Sequence, residues 1–167
     1  MMPKPAFETL VEQHSRELFG YLWRLLGDEA DARDGLQETF LRAFRAYGRL
    51  RTFDHLRAWL YKVATNTARS QLARNHRHSL QTGGLLESHP SSEKGVEVQV
   101  VERTQLAAVR QAVQALPERQ RAALLLRKYQ ELEYAEIAAA LGCTESAARA
   151  NIYQALKRLR AIFQDED

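Results

Sequence analysis

The sequence holds one cysteine in 167 residues, Cys143, so it cannot form an internal disulfide. That agrees with a reducing compartment. No apolar run approaches the roughly 20 residues needed to span a bilayer, which excludes a helical membrane protein. The opening stretch MMPKPAFETL lacks the apolar core and small-residue cleavage site of a secretory leader, so cytoplasmic residence is expected. Strict alternation of apolar and polar residues is also scarce. The brief VEVQVV at 96–101 has no partner segment and reads as linker leading into a helix.

What is present is a hydrophobic fraction of 45%, enough to argue against global disorder, in a length that suits one medium domain or two small ones. The formal charge of +3 and a pI near 9.2 fit an anionic partner.

Helical periodicity runs almost throughout, and the expected class is all-α: two small helical domains joined by a flexible linker, the second a helix-turn-helix domain. Leu10, Val11, Leu18, Leu22, Leu25 and Leu26 recur at helical steps from Phe7 until Gly27 ends the pattern. Asp28, Glu29 and Asp31 crowd a new helix start, where acidic groups complement the macrodipole. Leu36, Phe40, Phe44 and Tyr47 form its apolar stripe, with Gly48 as C-cap. Asp54 is placed to cap a third helix whose buried face is Leu56, Trp59, Leu60, Val63 and Thr67.

Residues 79–103 carry adjacent glycines, a proline and several serines, the composition of a linker. Beyond it, Leu106, Val109, Val113 and Leu116 give a helix stopping at Pro117. Glu118 to Tyr129 and Tyr134 to Leu141 give two more, and Gly142 separates the last from GCTESAARANIYQALKRLR at 142–160. Short helix, glycine turn and longer basic helix are the helix-turn-helix order.

At about 100° per residue, Ala148, Ile152, Ala155, Leu156, Leu159 and Phe163 fall on one face of the last helix and must pack inward. Ser146, Ala147, Ala150, Gln154 and Lys157 lie opposite, flanked by Asn151, Tyr153 and Arg158. Small Ala147 and Ala150 let the helix sit deep in a major groove. Asn151 and Gln154 suit adenine edges, while Arg149, Lys157, Arg158 and Arg160 suit phosphates. A helix with so few strong base contacts is a weak reader alone, since a good bidentate pair supplies only about 1–3 kcal/mol of discrimination.

A second grip is offered by WLYKVATNTARSQLARNHRH at 59–78. Lys62, Asn66 and Arg69 share a stripe beside the apolar face, Arg74 and Arg77 extend it, and no acidic residue occurs from Arg57 through His78. An isolated basic stretch is ordinarily a solvated face. Two basic helices on either side of a linker favour a nucleic-acid backbone.

These stretches together resemble the extracytoplasmic-function group of bacterial sigma factors over nearly the whole chain. DARDGLQETFLRAF is similar to the group's polymerase-binding helix, RAWLYKVATNTARSQLAR to its minus-ten-reading helix, and LPERQRAALLLRKYQELEYAEIAAALGCTESAARANIYQALKRLR to its region 4. The resemblance implies a region 2-like domain at 1–78, a linker at 79–103 and a region 4-like domain at 104–167. It implies a protein without a catalytic site, metal or cofactor that docks on core RNA polymerase and directs it to promoter DNA. By position, Asp34, Gln37, Glu38 and Phe40 would face the polymerase. Lys62, Asn66, Arg69, Arg74 and Arg77 would lie on the minus-ten element, and the loop from Arg51 to His55 would help hold an unstacked base. Ser146, Ala147, Arg149, Ala150, Asn151, Gln154, Lys157 and Arg158 would face the minus-35 element. Sequestration by an anti-sigma partner is common in the group.

Gly35 departs from the group's pattern, standing where a helix-favouring residue is usual, at a cost of about 0.5–1 kcal/mol relative to alanine. Asn151, Tyr153, Gln154 and Leu156 replace basic and histidine residues common in relatives, and Ala147 replaces a usual threonine, so promoter sequence does not transfer. An autonomous helix-turn-helix regulator would explain 104–163 but not the basic third helix. A nuclease or recombinase would need a nucleophile or carboxylate metal site, and Asp28 and Asp31 are better explained as a helix start. His76, His78 and His89 lack ligand spacing, and Cys143 reads as a small packing residue in the turn.

Overall fold

The computed structural model describes residues 3–81 and 100–164. These form seven α-helices and no strand: α1 (Phe7–Leu26), α2 (Glu29–Tyr47), α3 (Leu56–Gln81), α4 (Val100–Gln114), α5 (Glu118–Lys128), α6 (Tyr134–Leu141) and α7 (Glu145–Gln164). Helix α3 runs on through Gln81 and α4 begins at Val100, both inside the stretch expected to be linker. The remainder of that stretch, with His89 and most of VEVQVV, lies outside the described residues.

Most corners follow from local chemistry. Gly27 takes the left-handed conformation at φ 79° and its N–H bonds the Trp23 carbonyl, ending α1. The next residue, Asp28, is the N-cap of α2, its carboxylate accepting from the Asp31 N–H at 3.0 Å. Gly48 does follow α2, but at φ −64° it is right-handed and uses none of glycine's freedom. The third helix starts one residue later than an Asp54 cap requires, because the His55 carbonyl takes the first helical N–H, from Trp59, at 3.0 Å.

In the second half, Glu133 and Glu136 form a reciprocal capping box before α6, and Gly142 closes that helix at φ 65°. Thr144 Oγ1 accepts from the Ala147 N–H at 3.1 Å and starts α7.

Leu18, Leu22, Leu25, Leu60, Ala64 and Ala68 fill the space between α1, α2 and α3. Small residues let α2 approach α3 closely. Gly35 is buried there, where an added Cβ would lie 3.0 Å from Gln71 Oε1, while Gln71 Nε2 donates to the Asp31 carbonyl at 2.9 Å. The helix propensity given up at Gly35 thus has a packing reason. Phe44, expected in the buried stripe of α2, is instead 62% exposed.

Leu125, Leu126, Leu132, Ile137, Leu141, Ala148 and Ile152 build the centre of α5, α6 and α7. Ala112 of α4 and Leu116 just beyond it are buried, whereas Leu106 and Val109 of α4, expected to pack, are exposed.

The two halves share one hydrophobic core, with α6 lying on α3 and α5 against α1. Polar side chains stitch the seam. Arg121 Nη1 donates to the Leu25 carbonyl and to Gln114 Oε1, both at 2.8 Å, and Gln114 Nε2 donates to the Arg24 carbonyl. Arg57 Nε donates to Glu17 Oε1 at 2.8 Å and its Nη2 to the Gln130 carbonyl at 2.7 Å. The Tyr61 hydroxyl reaches both Glu17 Oε1 (2.8 Å) and Gln130 Oε1 (2.7 Å).

Burial pushes the Tyr61 hydroxyl far above its ordinary pKa, and the Glu17 carboxylate adds to the shift. Its edge-to-face neighbour Tyr21, 5.3 Å away between centroids and hydrogen-bonded to Thr65 Oγ1 at 2.8 Å, is raised by burial too. Burial lowers the pKa of the Arg121 guanidinium, with Glu118 opposing.

Candidate nucleic-acid interface

Helix α3 is amphipathic in an uneven way: one side is driven inward by Leu60, Tyr61, Ala64, Ala68 and Gln71. The side left over carries Lys62, Asn66, Ser70, Ala73 and Arg77, all exposed and spaced three or four residues apart, with exposed Arg74 beside them. A row of cations and amides along one helix with no carboxylate among them can follow a phosphate backbone. Arg69, expected on this stripe, is half-buried: its Nε lies 3.0 Å from Glu118 Oε1 at the start of α5. Arg57, at the head of the acid-free stretch, is drawn into the seam instead.

The loop between α2 and α3 presents Arg51 and His55 to solvent, along with Arg49, Thr52 and Asp54. Phe53 turns the other way, its ring centroid 6.1 Å from that of Tyr47. The loop therefore offers polar and cationic groups outward on an aromatic base.

On α2, Asp34 and Gln37 are exposed, and Glu38 is paired with Arg42 at 2.9 Å. Phe40 is half-buried, its ring edge-on to Phe7 at 6.3 Å. Two residues missed by sequence reasoning complete this surface, Leu41 and Phe44, which are 47% and 62% exposed. Asp34, Gln37, Leu41 and Phe44 form one stripe at helical spacing, and an apolar groove of about 440 Å³ lies along it, lined by Phe7, Glu8, Gln37, Phe40, Leu41 and Phe44. An exposed apolar groove with polar neighbours is the mark of a docking face. The available signal was that apolar residues on α2 cover more of its circumference than one buried stripe needs.

On α7, Ala148, Ile152 and Ala155 face the core, and Ser146, Arg149, Ala150, Gln154, Lys157 and Arg158 face solvent. Ala147 is half-buried. Asn151 Nδ2 donates to the Ala147 carbonyl at 3.0 Å, so its amide is occupied on its own helix. The Arg149 guanidinium stacks 4.3 Å from the Tyr134 centroid, and Arg127 stacks on the same ring at 4.4 Å. Tyr134 of α6 thereby ties α7, at Arg149, to α5, at Arg127. No group of three or more histidine, cysteine or carboxylate side chains suited to a metal occurs among the described residues.

Two helical units, one a helix-turn-helix with a basic last helix, are the build of a DNA-binding transcription protein. Residues 10–78 match the family model for Sigma-70 region 2, and residues 106–159 match Sigma-70, region 4. The RNA polymerase sigma-H factor of Pseudomonas aeruginosa is 32% identical, over 96% of this chain and 88% of that protein. The ECF RNA polymerase sigma factor SigG of Mycobacterium tuberculosis is 33% identical over 93% of this chain, which spans 48% of that longer relative. A solved structure of the sigma factor RpoE in complex with the anti-sigma factor NepR from Bartonella quintana has the same fold, with a TM-score of 0.74 at 21% identity, over 95% of this chain and 96% of that one.

The chain belongs to the extracytoplasmic-function sigma factors of the sigma-70 family. It is a promoter-recognising RNA polymerase sigma factor, a transcription initiation factor. No helix among the described residues is long and apolar enough to cross a membrane.

Proposed function

We propose a division of labour among three surfaces. The α2 face docks on core polymerase through Asp34, Gln37, Glu38 and Phe40, extended by Leu41 and Phe44. The α3 stripe of Lys62, Asn66, Arg74 and Arg77, with Arg69, Arg51 and His55, takes the minus-ten element and holds it open. Helix α7 takes the minus-35 element with Ser146, Arg149, Ala150, Gln154, Lys157 and Arg158, Ala147 and Asn151 lying at its edge. The chain supplies no catalytic group of its own and works in the cytoplasm. We divide the domains at 1–78 and 104–167, with α3 and α4 each running a few residues into the stretch between them.

The observation that carries this reading is that the polymerase stripe and the acid-free stripe sit on different helices, each exposed, so that both can be occupied at once. In the closed arrangement Arg69 is held by Glu118, which fits a resting form. An anti-sigma protein, the kind of partner bound to the Bartonella relative, would act by holding that form.

The test compares wild type with a Gln37→Ala, Leu41→Ala, Phe44→Ala variant and with Lys62→Ala, Arg74→Ala. Purified core polymerase should retain wild type and the α3 variant but not the α2 variant. Open-complex formation should fail for both variants. Retention of the α2 variant at wild-type strength would overturn the docking assignment.

A further inference from the structure

The short segment before α1 is tied to the ring cluster under the α2–α3 loop. Residues 3–6 form no helix, yet two of them make long-range contacts. The Pro5 carbonyl accepts the hydroxyl of Tyr47, a partner 42 positions away. The Lys4 ammonium lies over two rings, 4.6 Å from the Tyr47 centroid and 5.8 Å from that of Phe53. Lys4 is itself exposed.

Tyr47 is the last residue of α2 and is buried, so its hydroxyl needs a protein acceptor, and Pro5 provides it. Its ring collects the surrounding elements: Phe7 of α1 at 5.4 Å, Phe53 of the loop at 6.1 Å and Trp59 of α3 at 6.2 Å. Arg49 and Leu50 bond back to the end of α2, Leu50 and Phe53 pack against the core, and Phe53 is the loop side chain whose ring meets Tyr47. Cations beside ring faces are attractive, and an ammonium within reach of both Tyr47 and Phe53 favours the arrangement in which those two rings pack together. Phe7 also meets Phe40 and Phe44 edge-to-face, and both line the α2 groove. One short stretch therefore joins the docking groove to the loop.

We propose that Lys4 and Pro5 form a strap that positions the Arg51–His55 loop, making Lys4 a positioning residue for promoter opening. The inference rests on the reading that this loop holds an unstacked base. The strap acts through Tyr47 and Phe53 and does not itself touch the base.

The experiment uses the full chain and three variants: Lys4→Ala, Lys4→Arg, which keeps a cation for the rings, and Tyr47→Phe, which keeps the ring but loses the tie to Pro5. Two readouts separate the strap from the reading it rests on. Amide hydrogen exchange in the free protein should speed up in the loop for Lys4→Ala and Tyr47→Phe, with α3 unchanged, while Lys4→Arg stays at the wild-type rate.

With core polymerase, Lys4→Ala should form open complexes on duplex promoter about two- to fivefold more slowly, the scale of losing one exposed cation–ring contact. Polymerase binding should stay unchanged, and a template already unpaired at the minus-ten element should restore the wild-type rate. Unchanged loop exchange overturns the strap whatever the loop does. Faster exchange with normal opening on duplex shows that the loop does not serve opening, and overturns the positioning role together with the base-holding reading. Equal slowing on the unpaired template overturns the role as well.

Discussion

Arg69 on α3 and Glu118 on α5 meet at 3.0 Å, so a side chain expected on promoter DNA is held by the first turn of α5. If Arg69 takes a DNA phosphate, as proposed, that phosphate must displace the Glu118 carboxylate from the guanidinium. An ion pair this exposed is worth about 0.2–1 kcal/mol.

Glu118→Gln should therefore strengthen binding of the free chain to a minus-ten duplex by at most about fivefold. Fluorescence anisotropy at one fixed salt concentration measures it, because screening alters both the pair and the DNA contacts. An unchanged affinity would show that the pair does not restrain Arg69.

Arg121 is different in kind, being buried and bonded to the Leu25 carbonyl and Gln114. Arg121→Ala leaves the buried Leu25 carbonyl without its side-chain donor and takes a second donor from the part-buried Gln114 Oε1. Urea unfolding should show a loss of about 2–3 kcal/mol. Glu118→Gln in the same assay should lose under 1 kcal/mol, as a partly exposed pair does.

Gly35→Ala sets helix propensity against packing. Propensity alone favours alanine by roughly 1 kcal/mol. The added methyl meets Gln71 Oε1 at 3.0 Å, and Gln71 is held against retreat by its bond to the Asp31 carbonyl, which any shift strains. Gly35→Ala should be no more stable than wild type, and Gly35→Ala with Gln71→Ala should be more stable than the sum of the single changes. Strict additivity in the thermal midpoints would remove the clash from the account.

Asp31 titrates upward from an ordinary value of 3.8, chiefly through burial, with Asp28 and Asp34 adding repulsion and Asn75 and Gln71 opposing. A carboxyl raised by folding prefers its proton in the native state. The charge on Asp31 thus weakens the fold at neutral pH, and the penalty disappears as pH falls through the raised native value. Relative to Asp31→Asn, wild type should gain stability as pH drops from 7 towards 4, with no further relative gain below the unfolded value. A stability difference that is flat with pH would contradict the upward direction.

Much of the helical order was legible because it depends on local signals. Gly27, Pro117 and Gly142 mark boundaries by backbone chemistry, and the end of α6 follows from Gly142. Burial on α7 was legible for the same reason, since Ala148, Ile152 and Ala155 repeat at helical steps. The failures are non-local. Periodicity says that a face is apolar but not what meets it, so Phe44, Leu106 and Val109 were assigned inward and stand in solvent. Lys62, Asn66, Arg74 and Arg77 are exposed as their spacing requires. Arg69 is not free because its partner lies 49 positions away, a distance no window along the chain can see. Gln114, Arg121 and Gln130 read as ordinary polar helix surface until the two halves are placed together.

Tyr21 and Tyr61 give the seam an optical handle. A phenol shut away from water beside a carboxylate keeps its proton through alkaline conditions that ionise an exposed phenol. Tyr61 is also bonded to Gln130 across the seam. Parting the halves would hydrate it, and its phenolate band in the near ultraviolet would then appear at lower pH. The chain thus carries an intrinsic chromophore for its own opening, readable without a dye or an introduced label.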